Sequence, residues 1–130
     1  MSRVVLDASA ILAVLNNERG AEAVLPLLRG ASVSAVNYGE VLKKAVEYGG
    51  TIAAVKSALA AQWLHVVPFD TAHAEQAAAL WPHTKQCGLS FADRACVALG
   101  LLLGLPVLTA EARMGLLDLA VDVRLIRQPQ

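Results

Sequence analysis

Short apolar runs alternate with helix-patterned stretches along the whole chain. Arg3–Leu6 (R-V-V-L) is apolar without alternation, as expected of a buried strand, and an apolar helix from about Ala8 to Asn16 follows it directly. A second helix is expected over about Ala21–Leu28, stopped by Gly30, with a short strand at Ala31–Ser34. Across Val36–Tyr48, one helical face carries Val41, Leu42, Ala45 and Val46, and the other carries Asn37, Glu40, Lys44 and Glu47. Gly49-Gly50 ends that helix, and Thr51 is placed to cap the next one, running to about Trp63. Beyond it the pattern predicts a strand at His65–Val67 closed by Pro68, then a helix over Thr71–Leu80 that Asp70 opens and Pro82 follows. Ser90 opens a helix through about Leu103, followed by a strand at Leu105–Leu108, a helical stretch at Glu111–Leu119 and a last strand at Val121–Ile126. No repeat, low-complexity tract or linker interrupts the series.

Strands alternating with helices imply an α/β fold in which a central parallel sheet lies between helix layers. Ligands in such folds sit beyond the carboxyl ends of the strands, where strand order reverses. The residues to inspect are therefore those just after strands and in the first turns of helices.

A chain of 130 residues suits one domain over 1–130. Its 56% hydrophobic content and mean hydropathy of +0.52 raise the question of a membrane. The longest apolar run, Ala95–Leu108, is 14 residues and contains Gly100, Gly104 and Pro106, whereas a spanning helix needs ~20. The start lacks the basic and apolar regions of a signal peptide, because Asp7 interrupts the apolar stretch. The expectation is a cytoplasmic globular domain, with apolar surface to spare for another subunit. Eleven basic and eleven acidic residues cancel, which argues against a sequence-tolerant nucleic-acid coat but leaves room for an enzyme that grips one short stretch of RNA. Cys87 and Cys96 lie too far apart for a C-x-x-C metal site, and Cys96 falls in an apolar helix.

Four acids stand at the positions that matter. Asp7 directly follows V-V-L, and the next residues, A-S-A, hold none of the glycines a phosphate cradle requires. A cation held by the carboxylate is one reading; a helix cap, with Asp7 or Ser9 as the capping residue, is the other. Glu40 can reach the sheet edge from a helix side, although an i, i+4 pair with Lys44 would account for it as well. Asp93, in S-F-A-D, lies three residues after Ser90 and fits both a capping box and a site carboxylate. Glu111 follows the strand before it, with Thr109 as a plausible cap. Several carboxylates without a His or Cys set form the pattern of a hard-cation site for Mg²⁺ or Mn²⁺. Such ions serve phosphodiester hydrolysis. His65, His73 and His83 are scattered over a strand, a polar helix face and a loop, and no nucleophile elbow is present. A phosphatase using Asp7 as nucleophile would want a second Asp two residues on, where Ser9 stands.

The segments V-V-L-D-A-S-A (Val4–Ala10), N-Y-G-E-V (Asn37–Val41), L-S-F-A-D-R-A (Leu89–Ala95) and L-P-V-L-T-A-E (Leu105–Glu111) occur in an order that resembles PIN-domain proteins. The likeness is in particular to VapC-like toxins of type II toxin–antitoxin (VapBC) pairs, and it covers essentially the whole chain. It implies a three-layer α/β/α PIN-like fold and an endoribonuclease that needs Mg²⁺ or Mn²⁺. It also implies a cognate antitoxin and a homodimer. By this resemblance Asp7, Glu40 and Asp93 match the family's shared acids, Ser9 and Thr109 the small hydroxyls beside them, and Asn37 the polar residue before Glu40. Glu111 stands where the family usually has Asp, which leaves a catalytically inactive PIN-like RNA- or protein-binding module as the alternative. Arg94 and Arg113 read as ordinary surface ion-pair residues that could also meet RNA phosphate.

Overall fold

The computed structural model describes residues 3–129; Met1, Ser2 and Gln130 of the expected 1–130 domain lie outside the described residues. Five strands, β1 (Val5–Leu6), β2 (Ser32–Ser34), β3 (His65–Val67), β4 (Val107–Thr109) and β5 (Val123–Leu125), form one sheet in the order β3-β2-β1-β4-β5. Every pairing is parallel. Strand order therefore reverses between β1 and β4, which pair Val5 with Val107 and Leu6 with Leu108.

Side chains alternate across a strand, so β1 divides the core into two. Val4 and Leu6 face a cluster with Ile11, Val24, Val33 and Val41, supplied by α1 (Ala8–Leu15), α2 (Ala21–Leu28), β2 and α3 (Ala35–Glu47). Leu59 of α4 (Ile52–Ala60) completes it. Val5 and Val107 face the opposite cluster, with Ala77 of α5 (Thr71–Ala79) and Cys96, Val97 and Leu99 of α7 (Phe91–Leu103). Helices on both faces of a parallel sheet give the expected α/β/α layers, and they explain why V-V-L shows no polar alternation. Gly100 lets α7 lie close on the sheet: a Cβ there would meet Val107 Cγ2 at 2.6 Å. Among the described residues, no helix is long and apolar enough to cross a membrane.

Several expected boundaries hold for the stated reasons. Thr51 accepts from the Ala54 N–H at 3.1 Å and Asp70 from the His73 N–H at 3.1 Å, each opening its helix. Ser90 and Asp93 form a complete capping box at the start of α7. Other expectations need correction. Pro82 does follow α5, but His83 is not in a loop: both sit in a short helix, α6 (Trp81–Thr84), with Pro82 in its first turn, where its missing N–H is tolerated. A 3₁₀ turn, Lys85–Cys87, follows. The stretch expected to be helical over Glu111–Leu119 is only a 3₁₀ turn, Ala112–Leu116, because the Glu111 side chain takes up the Arg113 N–H. His73 is not on a polar face: its side chain is 13% exposed, its ring meets Phe69 edge-on, and its Nδ1 is buried without a partner.

Candidate functional site

Asp7 stands immediately after β1, and its N–H continues the ladder to Leu108 O at 3.0 Å. It occupies the N-cap position of α1, yet its side chain makes no capping hydrogen bond. The carboxylate instead turns toward β4. Its Oδ2 accepts from Ser9 Oγ at 2.7 Å and from Thr109 Oγ1 at 2.8 Å. Ser9 Oγ accepts from the Ala110 N–H at 2.9 Å and Thr109 Oγ1 from the Glu111 N–H at 2.9 Å. This small network joins the ends of the two strands where the order reverses, the place a parallel α/β sheet offers to ligands. The capping alternative for Asp7 and the capping role for Thr109 both give way to it.

Asp7 is only 4% exposed. Burial pushes its carboxyl up from 3.8 to about 6, the hydrogen bonds from Ser9 and Thr109 work against that rise, and the nearby charges of Asp93 and Glu40 add to it. Those last contributions place the three acids in one electrostatic neighbourhood.

Glu40 is on the exposed side of α3, but its expected i, i+4 partner is taken: Lys44 pairs with Glu47 at 3.4 Å. Glu40 Oε1 accepts instead from Asn37 Nδ2 at 3.2 Å. Asn37 is fully buried and also donates to Ala92 O at 3.0 Å, so it ties α3 to the first turn of α7, next to Asp93. Its Oδ1 is buried with no partner. Asp93 Oδ2 accepts from the Ser90 N–H at 2.9 Å, so the capping and site readings of Asp93 coexist.

A common arrangement emerges from these bonds. Among the hydrogen bonds of the described residues, Asp7, Glu40 and Asp93 each commit one carboxylate oxygen to positioning and leave the other uncommitted. Glu111 differs. Arg113 donates to its Oε1 through Nε at 2.8 Å and to its Oε2 through Nη2 at 3.1 Å, and the backbone N–H of Arg113 meets Oε1 at 3.0 Å. Arg113 thereby holds the Glu111 carboxyl below its ordinary range. Arg113 is a surface ion-pair residue, as expected, and its Nη1 also donates to Gly88 O at 2.9 Å. Arg94 lies over the Phe91 ring, 5.8 Å from its centroid.

Asp7, Ser9, Glu40, Asp93 and Glu111 line one open cleft of about 730 Å³. Sequence reasoning missed three basic residues on its wall, Lys43, Lys44 and Arg127. Arg127 lies just after β5, and Lys43 is three residues along the helix from Glu40. The donor set is all oxygen and anionic, with a buried carboxylate whose ionisation is disfavoured, and this suits a hard cation. Among the described residues no three His, Cys, Asp or Glu side chains converge closely enough to form a finished cage. Mg²⁺ commonly keeps several waters and takes one or two carboxylates, so a cation here would be held by Asp7, Glu40 and Asp93 partly through water.

A parallel sheet reversing at β1/β4, with acids gathered at that edge and no glycine cradle, defines an acidic-site α/β domain. The chain belongs to the PIN domain family, whose model matches residues 4–119. No curated protein matches the sequence significantly. Among solved structures, a toxin–antitoxin complex from Klebsiella pneumoniae shares 18% identity at a TM-score of 0.80, over 97% of this chain and 99% of that one. VapBC-5 from Mycobacterium tuberculosis, described as a member of the VapBC family of toxin–antitoxin systems, shares 26% at 0.65, over 98% of this chain and 100% of that one. VapC20 of the same organism, described as a Sarcin-Ricin loop cleaving toxin, shares 19% at 0.68, over 92% and 98%.

Proposed function

We propose that the chain is an endoribonuclease dependent on Mg²⁺ or Mn²⁺, acting in the cytoplasm as the toxin of a toxin–antitoxin pair. The observation that carries this reading is the buried Asp7 carboxylate at the β1/β4 reversal, sharing its cleft with Glu40 and Asp93. When bound, the cation would supply charge neutralisation at the phosphodiester and a more acidic water. Everything else falls to side chains already oriented. Ser9 and Thr109 fix Asp7 through Oδ2, Asn37 fixes Glu40 through Oε1, and the Ser90 N–H fixes Asp93 through Oδ2. Little reorganisation is then needed as charge develops. Glu40 is the most exposed of the three, and its uncommitted Oε2 is suited to accept the proton of the attacking water.

The toxin reading draws support from the family match and from what the fold's relatives are described as doing. An antitoxin and a second copy of the chain are the proposed protein partners. Exposed Leu15 and Tyr48, lining an apolar groove of about 240 Å³ between α1, α3 and α4, provide surface that such partners would cover. One observation favours the alternative of an inactive binding module: Arg113 occupies both oxygens of Glu111.

RNA cleavage by the purified protein with Mn²⁺ or with EDTA decides between them, using Asp93→Asn as the control. Asparagine keeps an oxygen for the Ser90 N–H, so α7 remains capped while the charge is lost. Cleavage by the native protein only with Mn²⁺, and none by the variant, is expected. Equal cleavage by both, or undiminished cleavage in EDTA, contradicts the metal-dependent reading.

A further inference from the structure

Glu40, Lys43, Lys44 and Glu47 lie at i, i+3, i+4 and i+7 on α3, so they form one stripe leading away from the acidic floor of the cleft. Lys43 and Lys44 both line that cleft and both pair with Glu47 at the far end of the stripe. Arg127, from the segment after β5, lines the cleft as well. Its Nη1 reaches Glu18 Oε1 at 3.1 Å and Arg19 O at 2.8 Å, while Arg19 Nη2 returns a bond to Gln128 O at 2.8 Å. The chain as a whole is electrically balanced, so three cations around an acidic floor are a local concentration rather than a reflection of composition.

A polyanion entering this cleft meets repulsion from Asp7, Glu40 and Asp93 that a cation at the floor offsets for only one phosphate. The neighbouring phosphates need their own counter-charges. Lysine and arginine supply these without reading sequence.

We infer that Lys43 and Lys44 on α3, and Arg127 on the C-terminal segment, are the backbone-phosphate contacts for a single RNA strand crossing the cleft between these elements. The inference deepens the ribonuclease reading and rests on it. Glu47 is then a competitor. It holds both lysines in the RNA-free protein, and RNA must displace it.

That competition distinguishes phosphate binding from a structural role for the ion pairs. The test is fluorescence anisotropy of a short labelled single-stranded RNA in EDTA, where no cleavage occurs, over a range of KCl concentrations. Each lost contact lowers the magnitude of the salt slope by about 0.7 for a single strand, and two contacts amount to roughly tenfold in affinity at moderate salt. Lys43→Ala with Lys44→Ala is expected to show both effects. Glu47→Gln, which frees the lysines, is expected to tighten binding several-fold. Arg127→Gln is expected to weaken it, with Arg127→Lys retaining most of it, because either cation neutralises a backbone phosphate.

Unchanged affinity and salt slope in the lysine double variant, or no tightening in Glu47→Gln, overturns the inference even if the native protein cleaves RNA. A native protein that neither binds nor cleaves RNA overturns the ribonuclease reading along with it. Polyglutamate binding as tightly as RNA overturns the assignment of the strand as nucleic acid.

Discussion

Replacing Asp7 by asparagine should make the metal-free protein more stable at neutral pH, although it removes the residue most central to the site. The Asp7 carboxyl is raised from 3.8 to about 6, chiefly by burial, so keeping it ionised in the fold costs about 3 kcal/mol. The sign follows from proton counts. Between 3.8 and about 6 the folded chain holds a proton here that the unfolded chain has released, so stability falls as pH rises through that window and levels off above it. Asparagine presents an oxygen to Ser9 and Thr109 but carries no charge, and a neutral acceptor gives back part of the gain. A net stabilisation of about 1–2 kcal/mol above pH ~7 is expected, shrinking toward zero at acid pH. For a domain of this size that is several degrees in Tm. The assay is thermal or urea unfolding of both proteins in EDTA across the pH range. An asparagine variant no more stable than the native protein at neutral pH would refute the reasoning. So would a difference that stays constant through the window.

Two further predictions rest on single contacts. Arg113→Gln removes the guanidinium that holds Glu111, so the Glu111 carboxyl should return upward toward 4.5 in a side-chain NMR titration; no movement would show that Arg113 is not its cause. Asn37→Leu removes the side-chain donor shared by the Ala92 carbonyl and Glu40, and should destabilise the fold by about 1–3 kcal/mol while lowering RNA cleavage. Native stability in a chemical-denaturation curve of that variant would contradict the tie between α3 and α7.

How much of this was legible in the sequence depends on how local each feature is. The Asp7 position could be read because an unalternating V-V-L followed by a helix pattern places the next residue at a strand's carboxyl edge. Ser90 and Asp93 were legible because a capping box closes within three residues. Where a side chain's partner lies across the fold, local spacing misled. Lys44 is at the favoured distance from Glu40, yet Glu47 takes it and Asn37 takes Glu40. A proline just past a helix end suggests a loop, whereas the first turn of a new helix accommodates Pro82 equally well. The helical propensity after Glu111 lost to a carboxylate that caps a tighter turn and to Gly115, which packs against Leu125. The basic wall of the cleft went unseen because Lys43 and Lys44 belong to a helix face and Arg127 to the chain's far end, and only the fold brings them together.

On the proposed reading Asp7, Glu40 and Asp93 share one cation while Glu111 stays with Arg113. Calorimetric titration of Mn²⁺ into the native protein and into Asp93→Asn and Glu111→Gln variants tests it most directly. Saturable uptake by the native protein, its loss in Asp93→Asn and near-native uptake in Glu111→Gln are expected. No uptake by the native protein, or a loss on replacing Glu111 as complete as on replacing Asp93, would contradict it.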